Sequence, residues 1–184
     1  MPFGLWKKKA QVTVDRQRQV DIGYAIRQLE QGDMSLVEGV DPESFALSLD
    51  NISLLEPGLA QAVPGGIKGR IARGLYFYVA QPQSEPEDLT EVDRGTMAIA
   101  ADGISFAGRT RHIGIGFGAI ESMGHNQDGI AIAARAMRLH FGAGASAISL
   151  KVQDREYSQP LSGRLLRLLV EAMIKKSLDG RSGT

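Results

Sequence analysis

Between Thr96 and Val152, apolar side chains fall at alternate positions in short bursts, and most bursts are closed by a glycine-bearing turn. Met97 and Ile99 lead through Asp102-Gly103 to Ile104 and Phe106. Ile113, Ile115 and Phe117 keep the alternation. Ile120 and Met123 precede Asp128-Gly129, which leads to Ile130 and Ile132. Met137, Leu139 and Phe141 lead through Gly142-Ala143-Gly144 to Ile148, Leu150 and Val152. Period two marks strands with one buried face, and Asp-Gly between apolar runs is a strong hairpin signal. The stretch predicts an antiparallel meander curled over one core. Gly103 and Gly129 are expected to supply left-handed backbone at the two Asp-Gly turns.

The period changes on either side of the meander. Ile22, Ile26 and Leu29 recur at helical spacing, with Asp15 as a cap and Gly32 as a stop, so residues 15–31 read as a helix. Residues 33–40 read as a further short helical turn. Asp41-Pro42-Glu43-Ser44 reads as the start of a third helix running to about Leu49. Residues 59–63 read as a strand, Pro64-Gly65-Gly66 as a turn, and residues 67–79 as a β-rich run bent at Gly69 and Gly74. Residues 81–93 and 153–160 read as exposed loops. Leu161, Leu165, Leu168, Leu169, Ala172 and Met173 then line one face of a helix over 161–178. The chain thus divides into an N-terminal tail and helical extension (1–50), a β-rich domain (51–178) and a disordered tail (179–184).

Composition narrows the class. The 21 basic and 21 acidic residues cancel, so no global charge for nucleic-acid binding is present and no nucleic-acid partner is expected. The 22 glycines suit a turn-rich β protein. The absence of cysteine removes disulfides, thiol catalysis and cysteine zinc sites together, and fits a cytoplasmic location. No apolar run reaches the roughly 18 residues of a spanning helix. Residues 1–9 lack the apolar core and cleavage site of a secretory signal.

Several segments in order carry a resemblance. They are Gly69-Arg70-Ile71-Ala72-Arg73-Gly74, Asp93-Arg94-Gly95-Thr96-Met97-Ala98-Ile99, Ile104-Ser105-Phe106-Ala107-Gly108, Arg109-Thr110-Arg111-His112-Ile113, Ala119-Ile120-Glu121-Ser122-Met123 and Asp128-Gly129-Ile130. Over residues 52–178 the chain resembles a bacterial family of largely uncharacterised pleckstrin-homology-like (PH-like, GRAM-like) domains. It departs from that family at Ala100-Ala101-Asp102, where members carry Thr-Asn and a basic residue. The resemblance implies an α+β, mainly β fold: a PH-like antiparallel barrel or two-sheet sandwich capped by the C-terminal helix. It also implies a binding or scaffolding module.

No catalytic constellation is legible. His112, His125 and His140 lack metal-ligand spacing, so no metal is expected; His112 and His140 are candidates to meet across strands. Ser105 and Ser122 lack a nucleophile elbow. Residues 114–118 alternate glycine with Ile115 and Phe117 but lack the Lys-Ser/Thr of a phosphate loop, so no cofactor is expected. The candidate ligand site is the basic set Arg109, Arg111, His112, Arg135 and Arg138, which Lys68, Arg70 and Arg73 can join around an anionic group. The terminus is either frayed, a docking segment, or an interfacial foot in which Phe3, Leu5 and Trp6 enter a bilayer while Lys7, Lys8 and Lys9 meet anionic lipid. The expected function is a cytoplasmic, non-enzymatic interaction module whose partner is another protein or a second copy. Peripheral attachment to the inner membrane face is the alternative, and an enzyme with an unsignalled pocket is the rival from another class.

Overall fold

The computed structural model describes residues 3–41, 44–57, 67–72, 75–79, 89–135 and 137–181, with the side chains of 3–13, 67–72, 75–79 and 179–181 outside the described set. Helix α1 (Phe3–Gln31) contains the expected helix and starts well before it. Asp21, Ala25 and Leu29, four residues apart, form its buried face. It stops where the glycine stop was read. Gly32 takes a φ of +95°, its N–H bonds to the Leu29 carbonyl, and the Asp33 N–H reaches back to Gln28. Those two bonds are a Schellman cap.

The next two expected helices are not there. Residues 33–40 instead give their backbone to a distant strand: Glu38 N–H bonds to Ser149 O, and Lys151 N–H to Leu36 O. Tertiary partners outcompete a short helix, whose nucleation is unfavourable. Asp41 and Ser44 do bond side chain to side chain, but Leu47, Ser48 and Leu49 lie in strand β1 (Leu47–Pro57). The boundary read at residue 50 therefore falls inside a strand. Residues 59–63 and 64–66 lie outside the described residues. Strands β2 (Ile67–Ala72) and β3 (Leu75–Val79) form a separate hairpin, and α1, through Ala25 and Leu29, belongs to the core.

The main sheet adds β4 (Leu89–Ile99), β5 (Gly103–Gly108), β6 (His112–Gly116), β7 (Ile120–His125), β8 (Gly129–Ala134) and β9 (Met137–Gly142). Residues 89–93, read as the end of an acidic loop, are strand, because they pair with β1; residues 81–88 lie outside the described residues. The order across the sheet is β6-β5-β4-β1-β9-β8-β7, all antiparallel where paired. Taken as a ring, this order is simply chain order, and one pairing is missing, β6 with β7. The sheet is therefore open at a seam.

The sheet is also strongly curled. Its two edges are joined by a 3-10 turn at Phe117–Ala119, whereas six flat strand spacings would separate them by roughly 29 Å. Phe106 on β5 and Phe141 on β9 lie three spacings apart in the sheet, yet their ring centroids are 5.6 Å apart. Curvature is taken up at three cross-strand glycine pairs: Gly95 with Gly108, Gly103 with Gly116, and Gly129 with Gly142. A Cβ on Gly95, Gly103 or Gly129 would run into a backbone carbonyl of the neighbouring strand.

This corrects the turn chemistry read from the sequence. Neither Gly103 nor Gly129 is in left-handed backbone; among described glycines that region holds Gly32, Gly39 and Gly144. At the second Asp-Gly, the Asn126 side chain makes the turn by accepting the N–H groups of Asp128 and Gly129.

Strands β10 (Ala147–Val152) and β11 (Arg155–Pro160) form a tight hairpin where a loop over 153–160 was expected, with Gln153 at φ +56°. Helix α2 (Gly163–Arg181) follows, starting two residues later than read and running into the segment expected to be a disordered tail. Residues 182–184 lie outside the described residues. α2 packs on β7, β8 and α1. It buries Leu165, Leu166, Leu169, Val170, Ala172 and Met173, more than one stripe, because it is sandwiched between sheet and helix. α1 is clamped to β11: Asp21 accepts from Tyr157 Oη (2.5 Å) and Gln17 Nε2 (2.8 Å), and Arg18 donates to Ser158 O. The Tyr157 hydroxyl, ahead of the other contacts, holds the Asp21 carboxyl below its ordinary pKa.

Candidate functional site: the β5–β6 turn

The turn at residues 109–111 is built around one carboxylate. Asp93, on β4 and 7% exposed, accepts the backbone N–H groups of Arg94, Arg109, Thr110 and Arg111 together with the Thr110 hydroxyl, at 2.8–3.1 Å. The Thr110 N–H is the largest cause, and the other amides add to it; together they outweigh desolvation and hold the Asp93 carboxyl far below the ordinary aspartate range. Gly108 is obligatory here because a Cβ would occupy the place of the Asp93 carboxylate. Sequence reading placed Asp93 in a solvated acidic loop. Nothing in its neighbours signalled a buried acceptor, because all its partners but the adjacent Arg94 N–H lie 16 to 18 residues away.

The surrounding charges are mostly committed. Glu91 bridges Arg94 (2.7 Å) and the Ser53 hydroxyl (2.5 Å), and the Arg94 guanidinium chiefly lowers its pKa. Arg111 lies 3.3 Å from Glu56. Arg109 has no ion-pair partner among the described residues, and His112 is exposed beside it. A shallow cleft of about 470 Å³ lies here, lined by Glu91, Val92, Asp93, Arg94, Arg109 and Thr110. The arrangement is a rigid turn with an interior anion and cations outside. It can hold an anionic group on its rim.

The basic set read from the sequence divides. Arg109, Arg111 and His112 share this turn. Arg135, at φ +49°, and Arg138 belong to the β8–β9 turn. β5 and β8 run in the same direction, so both turns face the same end of the sheet, but β4 and β1 stand between β5 and β9 and the turns are not on neighbouring strands. The side chains of Lys68 and Arg70, and all of Arg73, lie outside the described residues. So do the side chains of Phe3, Leu5, Trp6, Lys7, Lys8 and Lys9, although the backbone there is helical. His112 and His140 are kept apart by β5, β4 and β1. His140 instead stands in a cross-strand row with Leu55, Ala131 and Gly124 on the outer face. A mainly apolar hollow of about 340 Å³ lies there, and the buried His140 Nε2 has no partner among the described residues. Among those residues no group of three or more acidic or histidine side chains is placed to hold a metal ion. No helix among them is long and apolar enough to cross a membrane.

No protein-family model matches the chain, and no curated protein or solved structure matches it either.

Proposed function

We propose that the protein is a non-enzymatic interaction module, a PH-like barrel that serves as a scaffold and meets a partner protein through α1. The observation that carries this reading is the exposure of α1. Every residue from 14 to 20 is exposed, Val14 and Val20 at 67% and 57%, and Tyr24 follows at 44%. Over that length the helix touches β11 only through polar contacts at its surface and gains nothing from core burial, and isolated helices are marginal in water. A partner is the simplest source of stabilisation. The PH-like reading is supported by the ring-like strand order, the single unpaired seam and one C-terminal helix packed beside it. The fold alone does not fix the function.

The test is chemical cross-linking in the source cells with wild type and the variant Val14→Asp/Val20→Asp/Tyr24→Ser. A protein cross-linked to α1 of the wild type and lost in the variant, at an unchanged melt, is the expected result. Identical cross-links from both proteins would refute the reading.

Peripheral membrane attachment is the second reading, favoured by the helical backbone from Phe3 onward. It puts Phe3, Leu5, Trp6 and Lys7–Lys9 at the far end of a helix, roughly 16–26 Å of rise from Val20. Weak, salt-sensitive sedimentation with anionic vesicles, absent with neutral ones and abolished by deleting residues 1–9, is the outcome that would favour it.

A further inference from the structure

The two edges of the seam are not alike. β7 carries the exposed Glu121 and a register break between Ile120 and Ser122, and α2 packs on it. A charge, a bulge and a covering helix are the devices by which proteins blunt an edge against pairing. β6, His-Ile-Gly-Ile-Gly, has none of the first two: no Asp, Glu, Lys, Arg or proline, and an unbroken register with β5.

The direction of its free backbone groups follows from two hydrogen bonds. Gly108 N–H bonds to Arg111 O, and Phe117 N–H bonds to Asp102 O. They fix the phase of the antiparallel ladder, so Ile113 and Ile115 exchange bonds with β5. His112, Gly114 and Gly116 must then aim their N–H and C=O groups away from β5, at the seam. Neither His112 nor Gly114 has a backbone partner outside the ladder among the described residues, while the Gly116 carbonyl caps the 3-10 turn that follows. Unpaired donors and acceptors in an extended row specify one kind of occupant, another extended backbone.

The glycines agree with this. Gly114 and Gly116 have ordinary φ values, and a Cβ at Gly114 would meet nothing within 4 Å, at Gly116 one carbonyl oxygen at 3.8 Å. Internal packing therefore gives no reason for glycine at 114. A strand free of side chains on its outer face is what close approach of another chain requires. At the entry to the edge stands Arg109, without an ion-pair partner among the described residues, beside the exposed His112.

We propose that the outer edge of β6 receives an extended segment of another protein as an additional strand, with an acidic side chain of that segment set against Arg109. A second copy of β6 laid antiparallel about Gly114 would bring Phe117 and Ala119, not an acid, opposite Arg111 and Arg109. This surface is separate from α1 and does not depend on the role given to that helix.

The test begins with amide hydrogen exchange of the free protein: the N–H groups of His112, Gly114 and Gly116 should exchange freely while those of Ile113 and Ile115 are protected. Protection of all five would overturn the proposal, because the edge would already be covered. A displayed library of random 12-residue peptides is then selected on the wild type, and the strongest binder is synthesised with a fluorophore. It should carry alternating β-branched residues and at least one Asp or Glu. Gly114→Pro removes an outward N–H without touching the ladder, and should weaken that peptide about tenfold or more while the melt stays put. Gly114→Lys carries the same comparison should the proline variant melt lower. Arg109→Gln should weaken the peptide several-fold and flatten its salt dependence. Equal binding by wild type and both Gly114 variants would overturn the proposal. So would concentration-dependent self-association that Gly114→Pro abolishes, since the occupant would then be a second copy.

Discussion

Glycine-to-alanine substitution at two positions separates a glycine the fold requires from one it does not. At Gly129 an added Cβ runs into the Phe141 carbonyl oxygen and comes within 3.0 Å of the Gly142 Cα. Both obstacles are backbone in a paired strand, so neither can rotate aside. Overpacking of this kind costs about 1–3 kcal/mol, against a gain of roughly 0.5–1 kcal/mol for replacing glycine in a strand. Gly129→Ala should be net destabilising. At Gly114 the Cβ meets nothing within 4 Å, so only the gain remains, and Gly114→Ala should stabilise by about 0.4–1 kcal/mol. Urea unfolding followed by circular dichroism, with equal m-values for both variants, measures the difference. The two should lie about 2 kcal/mol apart. Asparagine sharpens the result. At a left-handed glycine it is partly tolerated, whereas Gly129→Asn should cost at least as much as Gly129→Ala. Equal stability of the two alanine variants would show that β8 and β9 do not approach so closely, and an asparagine variant near wild type would restore the left-handed turn.

Leu169, fully buried between the sheet and α1, should cost about 2–5 kcal/mol when truncated to alanine; a change below about half a kcal/mol would show that α2 is not core. Asp93 has a depressed carboxyl pKa, so its contribution is complete above the unfolded-chain value of about 3.9 and is lost as pH falls below it. Asp93→Asn should therefore melt below wild type at neutral pH, with the gap narrowing steadily below about pH 4. A gap independent of pH would mean that the carboxylate charge does not organise the turn.

What the sequence determined was local. Alternation at 96–152 placed the strands within a few residues, because one face of each strand needs a dry partner and the other does not. The 3.6-residue spacing at Ile22, Ile26 and Leu29, and again from Leu165 to Met173, placed both helices, and Gly32 placed the stop of the first. Residues 33–49 and 153–160 were not legible, because their backbone groups are satisfied by strands far along the chain: Leu36 and Glu38 by β10, β1 by β4, and β11 by β10. A capping pattern such as Asp41-Pro42-Glu43-Ser44 describes a local preference worth about 1 kcal/mol, which long-range pairing overrides. The candidate site divided for the same reason. Composition can count Arg109, Arg111, Arg135 and Arg138, but only the order of strands in the sheet, which sets β4 and β1 between β5 and β9, decides how far apart the turns that carry them stand. Asp93 and the free edge of β6 depended on tertiary structure entirely. The amides that make Asp93 a buried acceptor and the missing β6–β7 pairing exist only once the sheet has curled.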